Sequence, residues 1–291
     1  MRPWVFAALA AASVLTGTRG DAGTPVTQTM TCPIGGASFE FKTTASYSTS
    51  GERPDGKPYG SWTFPLALPE CPDNGLVLYK EYDAGEIAKL EPLIASEAYQ
   101  ALRKEDTQYY RAYWLMREMG LGPERYLWAL LQAAWEADAR PELRARYLAE
   151  LAEKSGAVEP RPTDLNWVGM EGRAINALRE LGRFDEALAR LEKLPLATLQ
   201  ADSRKDRQHW AAWFRNLRPL IERKDSSSEP FEMIPRNLAV SRCIEQVDTL
   251  DETRRGFCEK EATAVAELKA ARQSQEEELQ ALQKSREQSG R

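Results

Sequence analysis

The stretch "WVGMEGRAINALRELGRFDEALARLEKLP", from Trp167 to Pro195, decides how most of this chain folds. Its apolar and small residues recur at intervals of three and four, which is the spacing of one face of an α-helix. Gly182 interrupts that spacing, and glycine is the residue that most often ends a helix. The stretch therefore predicts two helices that are joined by a tight turn and packed face to face. The residues predicted for their contact are Ala174, Leu178, Phe184, Ala187, Leu188 and Leu191.

The residues before this stretch show the same alternation of helix starts and stops. Asp83, with a glutamate three residues later, forms a capping-box pattern. Further starts are predicted at Ser96, Thr107, Pro123 and Pro141, and stops at Gly120, Gly156 and Gly182. This spacing is the pattern of stacked antiparallel helix pairs. Residues 83–224 are therefore predicted to form a helical array, in which Trp167–Pro195 resembles a tetratricopeptide repeat.

Other segments flank the array. Residues 24–82 contain runs of β-branched and aromatic residues, separated by glycine and proline, and predict a β-rich module with strands in "VTQTMTC", "ASFEFKTTASY", "SWTFPLAL" and "LVLY". Residues 225–235, "DSSSEPFEMIP", are predicted to be a linker. Residues 236–291 are predicted to form a helical hairpin and a charged tail, whose apolar stripe is thin for a coiled coil. The predicted fold class is mainly α: a small N-terminal β-rich ribbon-like module, a tetratricopeptide-like antiparallel helical array and a charged C-terminal helix.

The first 22 residues have the order of a secretory signal peptide. Arg2 precedes the apolar run "WVFAALAAASVL", and the small and polar stretch "TGTRGDAG" follows it. The run is shorter than the roughly 20 residues of a membrane span. We therefore expect cleavage after Gly20 or Ala22 and a soluble exported protein, periplasmic in a Gram-negative cell. The formal charge of -5 argues against binding to nucleic acid or to anionic membranes.

The chain contains four cysteines, and an even number in an oxidising compartment favours disulfides. Three pairings are possible. We expect Cys32 to pair with Cys71 and Cys243 with Cys258, because each pair lies within one segment.

The pairing of Cys243 with Cys258 sets a condition on the residues between them. On one continuous helix the two would lie about 22 Å apart, beyond the reach of a disulfide. A break in "VDTLDET", Val247 to Thr253, would let them meet, with Asp248 or Asp251 as the cap of a second helix.

Cys32 and Cys71 each open a Cys-Pro turn of the kind that carries the ligands of a zinc ribbon. A ribbon needs four ligands, normally from two Cys-x-x-Cys turns. Here Gly35 and Asn74 stand where the second cysteines would fall, and the only histidine, His209, is distant in the sequence. Ligand sulfurs of a ribbon already lie close together, so a disulfide can replace the metal. We expect no metal and no other cofactor.

The two Cys-Pro turns, the aromatic-rich "YYRAYWLMREMG", the helix "YLWALLQAAWEAD" and the tetratricopeptide-like unit together resemble an uncharacterised bacterial family that joins an N-terminal zinc ribbon to helical repeats. The resemblance covers about residues 30–195. It implies a fold but no activity, because the family has no established function. The chain departs from the paired cysteines of the family at Gly35 and Asn74, so its ribbon is degenerate.

No catalytic residue is predicted. The signatures of serine hydrolases, zinc proteases, P-loop proteins and dinucleotide-binding proteins are absent from the sequence. His209 has no matched nucleophile, and no pattern pairs carboxylates such as Glu118, Glu136 and Glu171 across a cleft.

Aromatic residues and arginines, the usual hot-spot types of protein interfaces, cluster in the array. We predict that a peptide-binding groove is lined by Tyr110, Arg111, Trp114, Arg117, Trp135 and Arg173. The expected function is that of an adaptor or assembly factor that binds a protein or peptide partner in the cell envelope. A metal-binding module and an envelope enzyme without a recognisable motif are the alternatives.

Overall fold

The computed structural model describes residues 23–289. The predicted signal segment, residues 1–22, lies outside the described residues. Within them the chain is mainly helical, with a small β region at the N-terminal end, which confirms the predicted fold class. Among these residues no helix combines the length and the apolar character that crossing a bilayer requires.

Four short strands form two separate antiparallel sheets. β1 (Pro25–Thr31) pairs with β2 (Ser38–Thr44), and β3 (Thr49–Glu52) pairs with β4 (Pro58–Gly60). The β1–β2 register runs from Pro25 opposite Thr44 to Thr31 opposite Ser38, and the β3–β4 register shifts between Thr49 and Gly51.

Two of the predicted strands do not form. Residues 61–68, "SWTFPLAL", contain no strand, and in "LVLY" only Val77 makes an isolated bridge to Glu70. Pro65 and Pro69 explain the difference, because proline lacks the N–H group that a strand ladder requires. The aromatic and branched residues of these runs pack into the core from irregular backbone instead.

The two Cys-Pro turns fold alike and are joined. The N–H of Cys32 donates to the carbonyl of Ala37 and the N–H of Cys71 to the carbonyl of Leu76, each at 2.9 Å. A disulfide connects Cys32 to Cys71, with their Cα atoms 5.6 Å apart. This pairing is the predicted one.

Asn74, at a position where a zinc ribbon has a cysteine, adds a second link between the turns. Its Nδ2 donates to the carbonyl of Ile34, and its Oδ1 accepts from the N–H of Leu76, both at 2.9 Å. Gly35, at the other such position, has a φ of +89°, which glycine adopts without steric cost. A disulfide and an amide side chain therefore hold the two turns together.

Twelve α-helices follow within residues 84–289. They are α1 (Ala84–Ala95), α2 (Glu97–Glu105), α3 (Gln108–Glu118), α4 (Pro123–Glu136), α5 (Pro141–Gly156), α6 (Leu165–Glu180), α7 (Phe184–Leu191), α8 (Leu196–Ala201), α9 (Lys205–Glu222), α10 (Arg236–Glu245), α11 (Glu252–Lys260) and α12 (Ala262–Ser289). The predicted starts are found as N-caps at Asp83, Ser96 and Thr107 and as first helical residues at Pro123 and Pro141.

Each helix from α3 to α6 packs against the next, and α9 packs on α6, α7 and α8. One apolar cluster, which includes Leu130, joins α3, α4 and α5, and a second, which includes Leu191 and Phe214, joins α6, α7 and α9. A Cβ atom on Gly172 would lie 3.1 Å from the rings of both Trp213 and Phe214, so this glycine permits the close approach of α6 and α9. The predicted helical array is thus present.

The chain between Cys243 and Cys258 breaks as the pairing requires. A short 3-10 helix, Val247–Thr249, follows α10, and the side chain of Asp251 caps α11 by accepting from the N–H of Arg254. The disulfide Cys243–Cys258 joins the two helices, with their Cα atoms 5.7 Å apart.

Residues 225–235, predicted as a linker, contain neither helix nor strand but are packed on the array. Phe231 and Ile234 are buried in an apolar cluster with α10 and α11. Arg179 of α6 donates to the carbonyls of Asp225 and Ser227. The segment therefore lacks regular structure but packs on the array.

Candidate functional site

The helices bring two of the predicted partner-binding residues, Tyr110 and Arg117, to one cluster. The hydroxyls of Tyr110 and Tyr113 donate to the two oxygens of Glu150 at 2.8 and 2.6 Å, and Arg117 donates to the hydroxyl of Tyr113 at 3.3 Å. Burial and Glu150 raise the pKa of both tyrosines, so the phenols stay neutral donors. The cluster links α3 to α5, and 39% of the Arg117 side chain is exposed.

Arg111 and Trp114 lie on the side of α3 that faces the β-rich module. Arg111 is buried, and its two terminal nitrogens donate to Glu70 at 3.0 and 2.6 Å. It also donates to the carbonyl of Gly75 at 3.0 Å, which fixes the second Cys-Pro turn on α3. The half-buried Trp114 packs on Tyr99, with their ring centroids 5.8 Å apart. Both residues therefore act inside the molecule.

Trp135 and Arg173 are also largely enclosed. Trp135 is 5% exposed and lies edge-on to Trp128, which is 42% exposed. The guanidinium of Arg173 lies 4.9 Å from the ring centroid of Trp210, and 11% of this side chain is exposed. Burial lowers the pKa of Arg173. The six predicted residues thus do not line a single open groove.

An apolar cleft, which the sequence did not reveal, opens where α4 and α6 begin and α5 ends. Leu127, Val158, Trp167 and Met170 provide its apolar wall, and its volume is about 60 Å³. One water-sized group occupies about 10–15 Å³ by this measure, so the cleft holds about four to six such groups, the size of one aliphatic side chain. Its other lining residues are Pro123, Glu124, Ser155, Arg161, Asp164, Asn166 and Glu171.

The floor of the cleft is fixed by an ion pair. Arg190 of α7 pairs with Glu171, and it also donates to the carbonyl of Ala152 at 2.8 Å and to the hydroxyl of Ser155 at 3.1 Å. These bonds hold the end of α5 against α6 and keep the cleft open between them. Glu124 and Arg161 are exposed on its rim. The one sequence signal for the site was the pair Trp167 and Met170, three residues apart on the first two turns of α6, which follow the cap Asp164.

A second arrangement of side chains lies at the other ends of α4 and α6. We call it the ionic cluster, and its members are Arg53, Asp55, Lys57, Asp138, Arg144 and Glu180. Arg53 donates to Asp55 at 3.1 and 2.6 Å and to Asp138 at 2.8 and 3.2 Å. Lys57 pairs with Asp138 at 2.7 Å. Arg144 pairs with Asp55 at 3.3 Å, with Asp138 at 3.1 Å and with Glu180 at 2.7 Å.

The carboxylates of the ionic cluster differ in their electrostatics. Burial alone would raise the pKa of Asp138, but hydrogen bonds and charges from Arg53 and Lys57 outweigh it and lower that pKa. Burial raises the pKa of Glu180 in spite of its pairing with Arg144. Because every carboxylate is held by a guanidinium, the cluster has the chemistry of a structural ion network.

The residues considered for catalysis or metal binding lie on different helices. Glu136 accepts from the backbone N–H groups of Gln108 and Tyr109 at the start of α3. Glu118 and His209 are exposed on their helices. Among residues 23–289, no group of three or more histidine, cysteine, aspartate or glutamate side chains has the arrangement to hold a metal ion.

Comparisons of the chain with models of protein families, with curated proteins and with solved structures gave no match. The function is therefore inferred from the residues of the chain and their geometry.

Proposed function

We propose that this protein is an exported adaptor that binds a protein or peptide partner through its helical array. The observation that carries the proposal is the apolar cleft between α4, α5 and α6. Interfaces commonly gain most of their free energy from a few side chains that fill desolvated pockets. The cleft has the size for one such side chain and a polar rim that can bind the backbone on either side of it.

The chemistry of the cleft favours binding over catalysis. Its one buried carboxylate, Glu171, is engaged by Arg190. A general acid or base needs a free group within hydrogen-bond reach of a substrate, with a pKa near the working pH. An apolar wall of Trp167, Met170 and Leu127 instead suits an aliphatic anchor of the partner.

Export is the second part of the proposal. The two disulfides are compatible with an oxidising, extracytoplasmic location. The apolar run near the N-terminus supports secretion by its sequence alone. The third part of the proposal is a relationship to the bacterial family that joins an N-terminal zinc ribbon to helical repeats, which the sequence motifs of residues 30–195 support.

Selection from a displayed library of random peptides tests the function. We expect the enriched peptides to share one large apolar residue, which fills the cleft. A Met170→Glu variant places a charge in the apolar wall and should weaken their binding by at least about tenfold, since burying an unpaired carboxylate costs several kcal/mol.

Trp128→Glu is the matched control. It introduces the same charge at an apolar residue that is 42% exposed on α4 and does not line the cleft. Binding should be unchanged in this variant. Equal binding of the selected peptides to the wild type and to Met170→Glu would disprove the cleft as the site. Far-ultraviolet circular dichroism of both variants checks that they are folded.

A further inference from the structure

The tip of the β3–β4 hairpin, residues 53–57, is buried on the array. This tip, "RPDGK", has the composition of an exposed turn, yet Arg53 is 7% exposed and Asp55 is 1% exposed. Pro54 and Gly56 are buried with them. The tip lies against Asp138, which follows α4, against Arg144 near the start of α5, and against α6. The array therefore already holds a loop of its own chain.

The contact between the tip and the array is ionic. Within the ionic cluster the tip contributes two cations and one anion, and the array contributes Asp138, Glu180 and Arg144, so the charges of these six groups balance. Among residues 49–60 only Tyr59 belongs to an apolar cluster, and its hydroxyl donates to Glu229 at 2.9 Å. Interfaces that form and separate reversibly are more polar than permanent interfaces. The polar contact of the hairpin tip is therefore of the reversible kind.

The attachment of the first sheet is different. Phe39 of β2 and Ile34 of the first Cys-Pro turn pack into an apolar cluster with α1, α2 and α3, and the Cys32–Cys71 disulfide lies in the same cluster. The same N-terminal region thus has one part fixed by apolar burial and a covalent bond. The other part is held mainly by ion pairs.

The hairpin leaves one arginine of the array face beneath it, Arg173, without a close hydrogen-bond partner. Its closest oxygen partners are the carbonyl of Gly169 at 3.4 Å and the carboxylate of Glu52 at 3.8 Å, both longer than a good charge-assisted hydrogen bond. Its Nε has no hydrogen-bond partner among the described residues. The Arg173 guanidinium, which is largely buried and stacked on Trp210, can donate to a carboxylate that comes closer than Glu52 of the hairpin does.

We infer that the tip of the β3–β4 hairpin is an internal ligand, and that the face beneath it binds an exposed turn of a partner protein that carries an arginine two residues before an aspartate. The partner's guanidinium takes the place of Arg53 on Asp138, and its carboxylate takes the place of Asp55 on Arg144. A further acidic group of the partner pairs with Arg173. This surface lies at the opposite ends of α4 and α6 from the apolar cleft, so it is independent of the proposed function.

Hydrogen exchange of the full chain tests whether the hairpin opens. The reporters are the N–H groups of Arg53 and Gly56, which donate to the carbonyls of Lys57 and Arg53. We expect them to exchange at least about tenfold faster than the most protected amides of α4 to α6, because a local opening releases them without global unfolding. Exchange at the same rate as those core amides would overturn the inference.

Asp138→Asn and Glu70→Gln form a matched pair of variants for this measurement. Both replace a carboxylate that holds a buried arginine, but only Asp138 contacts the hairpin. Asp138→Asn should accelerate the exchange of Arg53 and Gly56 by a further factor of about ten or more, and Glu70→Gln should leave it unchanged. Equal acceleration in both would mean that the hairpin opens only when the whole protein unfolds.

A synthetic peptide "GERPDGKPYG", residues 51–60, tests the recognition itself. It should bind the full-length Arg53→Ala/Asp55→Ala variant at least about tenfold more tightly than the wild type, whose face is occupied. A peptide with the arginine and aspartate exchanged should bind at least about tenfold more weakly than the original. Failure of the original peptide to bind the variant, or equal binding to the wild type, would overturn the inference. If the double variant does not fold, the single variant Arg53→Ala takes its place in the peptide measurement, because the exchange measurements test only the opening of the hairpin.

Discussion

At the residue scale, the arginines predicted to bind a partner largely bind the chain itself. Arg111 holds Glu70, and Arg173 stacks on Trp210. A guanidinium has the same preference for carboxylates and aromatic rings inside a protein as at an interface. Residue type therefore indicates that such an arginine has a partner, but it does not identify the partner. Glu70 lies 41 residues before Arg111, a separation that no local pattern reports.

We predict that Glu70→Gln lowers the free energy of unfolding at pH 7 by roughly 2 kcal/mol, because the buried Arg111 loses its charged partner. Burial alone would raise the pKa of Glu70, but its hydrogen bonds and charge interaction with Arg111 outweigh burial and lower that pKa. A lowered pKa stabilises the folded state above the unfolded-state value of about 4.3, and this contribution is lost as the pH falls below it.

Urea unfolding at pH 7 and at about pH 3.5 measures this effect. The wild type should lose more stability than Glu70→Gln between the two pH values, because only the wild type has the Glu70 carboxylate to protonate. The same loss in both proteins would contradict the assignment of Arg111 as the partner that lowers the pKa of Glu70.

Asn74→Ala should destabilise the protein by about 1–3 kcal/mol. The substitution leaves the carbonyl of Ile34 and the N–H of Leu76 without their side-chain partner. Asp73→Ala is the control, because Asp73 is the exposed neighbour and only its backbone carbonyl is used, by Arg103. Chemical denaturation of both variants should show a loss for Asn74→Ala alone.

At the element scale, the features that could be predicted from the sequence are those that depend on neighbouring residues. Helix starts depend on a cap and the next few residues, so Asp83, Ser96 and Thr107 were recognisable. The turn at Pro54-Asp55-Gly56 was equally recognisable, but its burial was not. Arg53 meets Asp138 across 85 residues, and Asp55 meets Arg144 across 89 residues. Ion pairs with these distant residues cover the turn, and no local pattern reports them.

The two disulfides should contribute differently to stability. In the chain-entropy account, the sequence separation of 39 between Cys32 and Cys71 corresponds to about 4 kcal/mol, and that of 15 between Cys243 and Cys258 to about 3 kcal/mol. Paired Cys→Ser variants at each bridge, compared by urea unfolding, measure the two contributions. A larger loss at Cys243–Cys258 would show that loop length does not govern the difference.

Truncation after Arg272 should leave the body of the protein unchanged. Arg272 donates to Ser241 and Glu245 of α10, whereas residues 273–286 of α12 are exposed, including Leu279 and Leu282. Changes at exposed surface residues alter the free energy of unfolding by less than about 0.5 kcal/mol. A clear drop in stability on truncation would show that the end of α12 packs on the body.

At the scale of the whole molecule, the apolar cleft is a product of the stacking of three helices. Its walls come from residues up to 48 positions apart, between Pro123 and Glu171, and no single segment carries its signature. The helical array could be predicted because each helix pair is local. The cleft could not, because it depends on where α5 ends relative to the starts of α4 and α6, which the Arg190–Glu171 pair sets.

The redox state of the compartment in which the protein folds determines whether the two disulfides can stabilise it. The two bridges together correspond to about 7 kcal/mol, which is comparable with the total of 5–15 kcal/mol typical of a globular protein. Residues 23–291 produced in a reducing cytosol should therefore be mostly unfolded or sensitive to protease. The exported full chain should be folded, with a non-reduced mass lower by four hydrogens than its reduced form.

Intact-mass measurement, thiol titration and thermal unfolding of the two preparations distinguish the outcomes. A cytosolic preparation that is reduced yet equally stable would show that the bridges are not needed for the fold. A mass raised by one bound zinc ion would instead show that the Cys-Pro turns still act as a metal site, since bridge formation and thiolate coordination of a metal exclude each other at the same sulfur atoms.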